Sequence, residues 1–276
     1  MTAAAIALCS SLLWGVADFF GGLLSRRHPV AAIAFLINGV GVVVLGVAAA
    51  VAGRIDGDAV TLGLAAGTFG AASGFAFYQA MALGMMSIAS PLLACGSVLA
   101  FGLAVAGGER PSTLALVGAA TAVAGVVLAS LAEHARGGQR RRALGFALTA
   151  PFGLGVYFYV LGRASDGGGS ISAALGARVS SSLCLLALAL WLQTSFRVGW
   201  PAFRVISLIG IATGISLLLF GYASDIGLIS ISSVLASLYP IATVGLAFLF
   251  AGERLTRTQL AGVPLALAGV VLVTVG

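Results

Sequence analysis

The sequence predicts an all-α integral membrane protein: ten transmembrane helices in two inverted five-helix repeats. Three observations carry that expectation. First, of 276 residues 60% are hydrophobic and only 8% charged, whereas a soluble domain carries roughly 25% charged residues. So few charges cannot cover a water-facing surface. Second, the apolar stretches recur at the length needed to cross a bilayer, about 20 residues for ~30 Å of hydrocarbon. Third, the chain repeats itself 144 positions apart. Gly108-Glu109-Arg110 matches Gly252-Glu253-Arg254, and Ala124-Gly125-Val126-Val127-Leu128 matches Ala268-Gly269-Val270-Val271-Leu272.

Ten spans are read at 3–24, 30–52, 61–82, 86–106, 112–131, 144–164, 171–195, 204–225, 228–250 and 257–275. Backbone groups in lipid must be bonded within the segment, so each span is a helix. No ten-residue alternation of a membrane barrel occurs. The first span has no basic residue before it and contains Asp18, so it reads as a true span rather than a cleaved signal peptide. The third opens with Gly63-x-x-x-Gly67 and the eighth with Gly210-x-x-x-Gly214, spacings that let helices approach closely. The fourth carries Ser87, Ser90, Pro91 and Ser97; the ninth carries Ser230, Ser233, Ser237 and Pro240. Ser112 or Thr113 caps the fifth. The longest connection, about 132–143, is too short for a soluble catalytic domain. Cys9, Cys95 and Cys184 fall inside spans without metal spacing and read as unpaired packing residues.

Each repeat holds five spans. An odd number means that the second copy enters the membrane from the opposite face, an inverted-topology pair. The halves are 1–135 and 136–276, forming one membrane domain. Asn38 in the second span aligns with Arg178 in the seventh, and Tyr157 corresponds loosely to Phe19. All fourteen basic residues are arginine. Loops after odd-numbered spans carry ten of them, which by the positive-inside rule places both termini outside. The stretch Arg136–Arg142 is a topology signal; it lacks the aromatics that would stack nucleic acid, and no nucleic-acid partner is expected.

Trp14-Gly15, the paired Gly-Glu-Arg turns, the Gly-x(6)-Gly-Val-Val-Leu helices and Ser237-Leu238-Tyr239-Pro240, in this order across ten spans, resemble the EamA-type branch of the drug/metabolite transporter superfamily. The resemblance covers the whole chain. It implies a ten-helix inner (plasma) membrane transporter, often an exporter of amino acids, other metabolites or toxic compounds. It also implies cytoplasmic termini, opposite to the arginine count. Asn38 stands where relatives often show arginine, a departure that bears on substrate preference.

The candidate binding residues are those that a lipid-facing helix does not need. A charge at the centre of a span costs ~2.5–3.5 kcal/mol, and only Asp18 and Arg178 lie clearly within spans. Helix register sets them ~10 Å apart along the membrane normal. Asp18 has two readings: proton coupling or binding of a cationic group, or a carboxylate satisfied by backbone or Arg26. Arg178 either binds a substrate carboxylate through its planar fork or snorkels and holds its helix in place. Trp14, one turn before Asp18, forms an aromatic wall or a packing residue. Asn38, Gln79, Ser90, Tyr157, Ser237 and Tyr239 complete the candidate set. Pro91 and Pro240 are candidate hinges, because proline frees a carbonyl one turn back. Glu109 and Glu253 fix loop geometry or form a gate ion pair.

These features point to a secondary transporter of small organic solutes, metabolite or amino-acid efflux being expected. Alternating access is driven by a proton gradient or by downhill facilitation. The alternatives are a passive channel or structural subunit and, last, a membrane enzyme, for which no clustered His, Cys or deep paired carboxylates exist. No cofactor or metal is expected. The partners are a small-molecule substrate, the lipid bilayer and protons, with the chain acting as a monomer or homodimer.

Overall fold

The computed structural model describes residues 2–83, 89, 93–130, 140–251 and 257–275. The helices are α1 (Thr2–Ser25), α2 (Val30–Ala52), α3 (Gly57–Ala82), α4 (Gly96–Ala106), α5 (Thr113–Ser130), α6 (Arg140–Ser165), α7 (Ser170–Trp191), α8 (Trp200–Asp225), α9 (Ile229–Ala236), α10 (Tyr239–Ala251) and α11 (Arg257–Val275). No strand occurs among the described residues. Among the described residues six helices are long and apolar enough to cross a membrane, and shorter apolar helices accompany them. The ten spans of two repeats account for the architecture. Large apolar side chains point outward, among them Val43, Val47, Leu148, Phe152 and Leu208, as a lipid-facing surface requires. Trp191 and Trp200 are exposed where α7 ends and α8 begins, the position of an interfacial aromatic belt.

Local chemistry sets the helix ends. Asp56 caps α3 by accepting from the backbone N–H groups of Asp58 at 2.9 Å and Ala59 at 3.0 Å, so α3 starts four residues earlier than its hydropathy predicts. Ser112, not Thr113, caps α5 through the Ala115 N–H at 3.0 Å. Gly53 closes α2 at φ +62°, its N–H bonded to the Ala49 carbonyl, a conformation that glycine adopts without steric cost. Gly167 and Gly168, both at positive φ, turn α6 into α7.

The ninth span departs from the expected single helix. It breaks at Ser237–Leu238 into α9 and α10. Pro240 has no N–H to offer the Ala236 carbonyl, and the chain tightens there: Leu238 N–H bonds Leu235 O at 3.3 Å, and Ile241 N–H bonds Leu238 O at 3.0 Å. Thr243 then ties the new helix to α1, its hydroxyl reaching the Gly15 carbonyl at 3.1 Å.

The principal helix contacts run between the repeats and come in exchanged pairs. Helix α1 packs on α8, and its counterpart α6 packs on α3; α2 packs on α8 as α7 packs on α3; α1 packs on α9 and α10 as α6 packs on α4. The pairs α2–α7 and α5–α11 join equivalent helices and therefore straddle a pseudo-two-fold axis.

Individual atoms obey the same exchange. A Cβ on Gly67 would strike the Ala177 carbonyl and the Ser180 hydroxyl, and one on Gly210 would strike the Ile37 carbonyl and Val40. Gly15 meets Tyr239 and Ala242 as Gly155 meets Gly96 and Leu99. Ser216 Oγ donates to the Ser10 carbonyl at 2.9 Å, and Ser73 Oγ donates to the Ala150 carbonyl at 2.7 Å. The register is thus 140 for the first two spans of each repeat and 143 for the next two. That pairs Gly67 with Gly210 and corrects one alignment: Tyr157 pairs with Ala17 rather than with Phe19. The 144-residue register belongs to α5 and α11, where Gly125 seats on Ala266 and Gly269 on Ala122.

Candidate substrate-binding site

Where the two repeats interlock they leave a cavity of about 120 Å³. Both repeats line it: α1 supplies Trp14 and Asp18, α2 Asn38, α3 Tyr78, α6 Tyr157 and Phe158, α7 Arg178 and Ser181, α8 Thr213 and α10 Tyr239. Its aromatic wall is a stack. Trp14 lies on Phe158 with ring centroids 5.4 Å apart, and Phe158 lies on Phe220 at 4.6 Å.

Arg178 is 8% exposed. Its Nη1 donates to Asn38 Oδ1 at 2.8 Å and its Nη2 to the Thr213 carbonyl at 2.8 Å. The Asn38 amide is itself fixed, donating to the Ala34 carbonyl at 2.9 Å. The aligned residues of the two repeats therefore touch each other, which places them on the axis. Gly41 makes room for the guanidinium, since a Cβ there would press on Arg178 Cδ and Nε. Both acceptors are neutral, and Arg178 Nε is buried without a hydrogen-bond partner. Arg178 is thus held within the bundle rather than drawn to the surface.

Asp18 is 9% exposed. Among the described residues no ion pair and no hydrogen bond reaches its carboxyl group, and the one ion pair between described residues is Arg163–Asp166 at 3.2 Å, in the turn after α6. Two groups of opposite formal charge therefore face one cavity without meeting.

The other candidates are distributed as follows. Trp14, Asp18, Asn38, Tyr157, Arg178 and Tyr239 come together around the cavity. Gln79 lies elsewhere, in a second cavity of about 520 Å³ between the ends of α1, α3 and α7 and the start of α6. Ser237 is buried and returns its hydroxyl to the Val234 carbonyl at 2.8 Å. Pro240 is fully buried just past the helix break. Ser90 and Pro91, with Ser87 and Glu253, lie outside the described residues. Sequence reasoning passed over Thr213, whose carbonyl anchors Arg178. The corrected register flags it, because Thr213 is the mate of Gly70 and both line the cavity.

Glu109 makes no ion pair among the described residues; it ties its turn to the second repeat. Its two carboxylate oxygens accept the backbone N–H groups of Ile229 and Ser230, each at 2.9 Å. A carboxylate of the first repeat thus caps the first turn of α9 in the second, where the helix dipole favours a negative charge. The same end of the bundle is joined by Asp225 Oδ1 accepting from Gly168 N–H at 3.0 Å, and by Asp56 N–H donating to Ser172 Oγ at 3.0 Å. This is the end that holds the start of α1. The larger cavity lies at the opposite end.

Comparison with known proteins agrees with this geometry. The family model of the EamA-like transporter family matches residues 1–131 and 141–275, one match per repeat. The chain belongs to the EamA-like transporter family. A solved crystal structure of a protein superposes on this transporter with a TM-score of 0.81 at 17% identity, over 99% of this chain and 96% of that one. That likeness shows the shared fold. No curated protein sequence matches this member of the family. As a member of the family, the protein is a multi-pass membrane transporter of small solutes.

Proposed function

We propose that this protein is a secondary transporter that exports small organic metabolites across the inner (plasma) membrane by alternating access. One observation carries the proposal: a small cavity between interlocked inverted repeats, lined by Asp18, which makes no ion pair among the described residues, and by Arg178 on the pseudo-two-fold axis. Such repeats have two equivalent packings, one open to each side, and exchanging them moves a midplane site from one side to the other. The terminal end is knitted together by Glu109, Asp225 and Asp56, and the wide cavity lies at the opposite end. In the exchanged packing the Glu109 clasp opens.

Asp18 is the coupling candidate, its carboxyl group exchanging a proton for a cationic part of the solute. The test is counterflow into liposomes with the purified protein. Saturable exchange supports a carrier, whereas non-saturating flux indicates a channel. If uptake survives both collapse of the pH gradient and Asp18→Asn unchanged, the proton-coupling part of the proposal fails.

A further inference from the structure

The register that relates the two repeats also shows where they differ. The α1–α2 turn, residues 26–29, and the α6–α7 turn, residues 166–169, are equal in length and correspond at a spacing of 140. Helices α3 and α8 have 26 residues each and correspond at 143. The wide cavity of about 520 Å³ is lined by His28, Val30, Gln79 and Ala82 of the first repeat. Their mates, Gly168, Ser170, Tyr222 and Asp225, stand at the terminal end. There the turn and the helix are joined, Asp225 Oδ1 accepting the Gly168 N–H at 3.0 Å. Ser170 is buried beside them, its hydroxyl without a partner. One place in the fold is thus open in the first repeat and closed in the second.

Three differences keep the first repeat from closing in the same way. The closed turn takes positive φ at Gly167 (71°) and Gly168 (87°). Their mates are Arg27 and His28, which do not; the N–H groups of both bond the Leu24 carbonyl instead, at 3.0 and 3.1 Å. A side chain with a Cβ disfavours left-handed backbone about tenfold per residue. The mate of Asp225 is Ala82, which offers the turn no acceptor. The mate of Gly221 is Tyr78. A Cβ on Gly221 would strike the Ser165 hydroxyl, so the closed turn seats against bare backbone there. Tyr78 instead lays its ring against Gly21 of α1.

We infer that the two packings of this carrier are unequal in energy: without solute it rests open at the wide cavity, the terminal end latched by Gly167, Gly168, Gly221 and Asp225. The inference rests on the transporter reading and adds which mouth stands open to arriving solute. Backbone symmetry provides two packings, and the side chains set their populations. Opening the terminal end gives up a hydrogen bond to a carboxylate, a bias of about tenfold. Closing the wide mouth by the same turn forces Arg27 and His28 into left-handed backbone, a bias of the same sense. A solute that reverses the carrier must overcome both through its own difference in affinity for the two packings.

The test compares two cysteine reporters in a background lacking Cys9, Cys95 and Cys184. The protein is held in nanodiscs without solute, and a water-soluble maleimide reaches both faces. Gln79→Cys reports the wide cavity. Ser170→Cys reports the terminal end, because its mate Val30 lines the wide cavity and the exchanged packing wets Ser170 in turn. Each rate is divided by that of the detergent-denatured protein. Gln79→Cys should label at least about tenfold faster than Ser170→Cys. Asp225→Ala gives the second repeat the residue of the first and should speed Ser170→Cys about tenfold. Gly168→Ala should do the same through backbone strain alone. With both substitutions the packings approach equal populations, and Gln79→Cys should slow about twofold. Should a variant fail to fold, the parent rates still decide. Equal rates at the two reporters in the parent overturn the inference, as do rates that neither substitution moves. Faster Ser170→Cys labelling with Gln79→Cys unslowed in the double variant reports only a frayed turn, and also overturns it. Counterflow is read separately. Saturable exchange with equal labelling at the two ends sinks the inference alone; the expected labelling without exchange sinks the transporter reading alone.

Discussion

At the residue scale, the glycines separate into those the packing needs and those it does not. Gly67 touches the α7 backbone at Ala177, whereas Gly46 has nothing near its missing side chain. Gly67→Val should lower stability by about 1–3 kcal/mol through overpacking, read as a fall in melting temperature in detergent. Gly46→Ala should hold or raise stability by up to ~1 kcal/mol, because alanine costs less helix entropy than glycine. Asn38 offers a sharper prediction. It is the neutral acceptor that fixes Arg178, in place of the arginine often found in relatives. Asn38→Asp supplies the anion internally. The protein should stay as stable or become more so, while solute binding at Arg178 is lost. Thermal melts and calorimetry on one preparation check both halves of that statement.

At the element scale, α9 depends on a residue from the other repeat. The carboxylate of Glu109 satisfies two N–H groups of its first turn, and hydrogen bonds to a charged group contribute about 1.5–3 kcal/mol. Glu109→Ala should therefore shift the protein toward the packing open at the terminal end. In a background lacking Cys9, Cys95 and Cys184, a cysteine at cavity-lining Gly74 should label faster from that side in the Glu109 variant. An unchanged rate would mean that the clasp is only a helix cap. The α5–α11 pair explains why the repeat is clearest where it is. Gly125 on Ala266 and Gly269 on Ala122 form an isologous contact, in which each surface must match itself. A substitution in one copy changes the fit of the other.

At the scale of the whole molecule, the halves are not separate folding units. The heaviest contacts pair α1 with α8, α3 with α6 and α7, and α5 with α11, all across the repeats. Fragments 1–135 and 136–276 should each aggregate when expressed alone. Co-expressed, they should yield a monodisperse complex with the full chain's solute binding. Size-exclusion chromatography distinguishes the outcomes; a monodisperse single half would refute this account.

The sequence by itself determined the membrane class, the ten spans and the duplication, because lipid imposes span length and apolarity locally along the chain. Of the site, the two intramembrane charges and the Asn38–Arg178 alignment were legible, since a charge in a span stands out against its own neighbours. Only the tertiary structure decided what each group meets. It joined Asn38 to Arg178 on the axis, left Asp18 without a cation among the described residues, turned Ser237 back on its own helix, moved Gln79 to a different cavity and set Glu109 on α9. It also fixed the third-span register, pairing Gly67 with Gly210, because glycines at four-residue spacing look alike in sequence and only interhelical contact tells one from the next. Spans are dictated by the bilayer one helix at a time; a binding cavity exists only where several helices from both repeats converge.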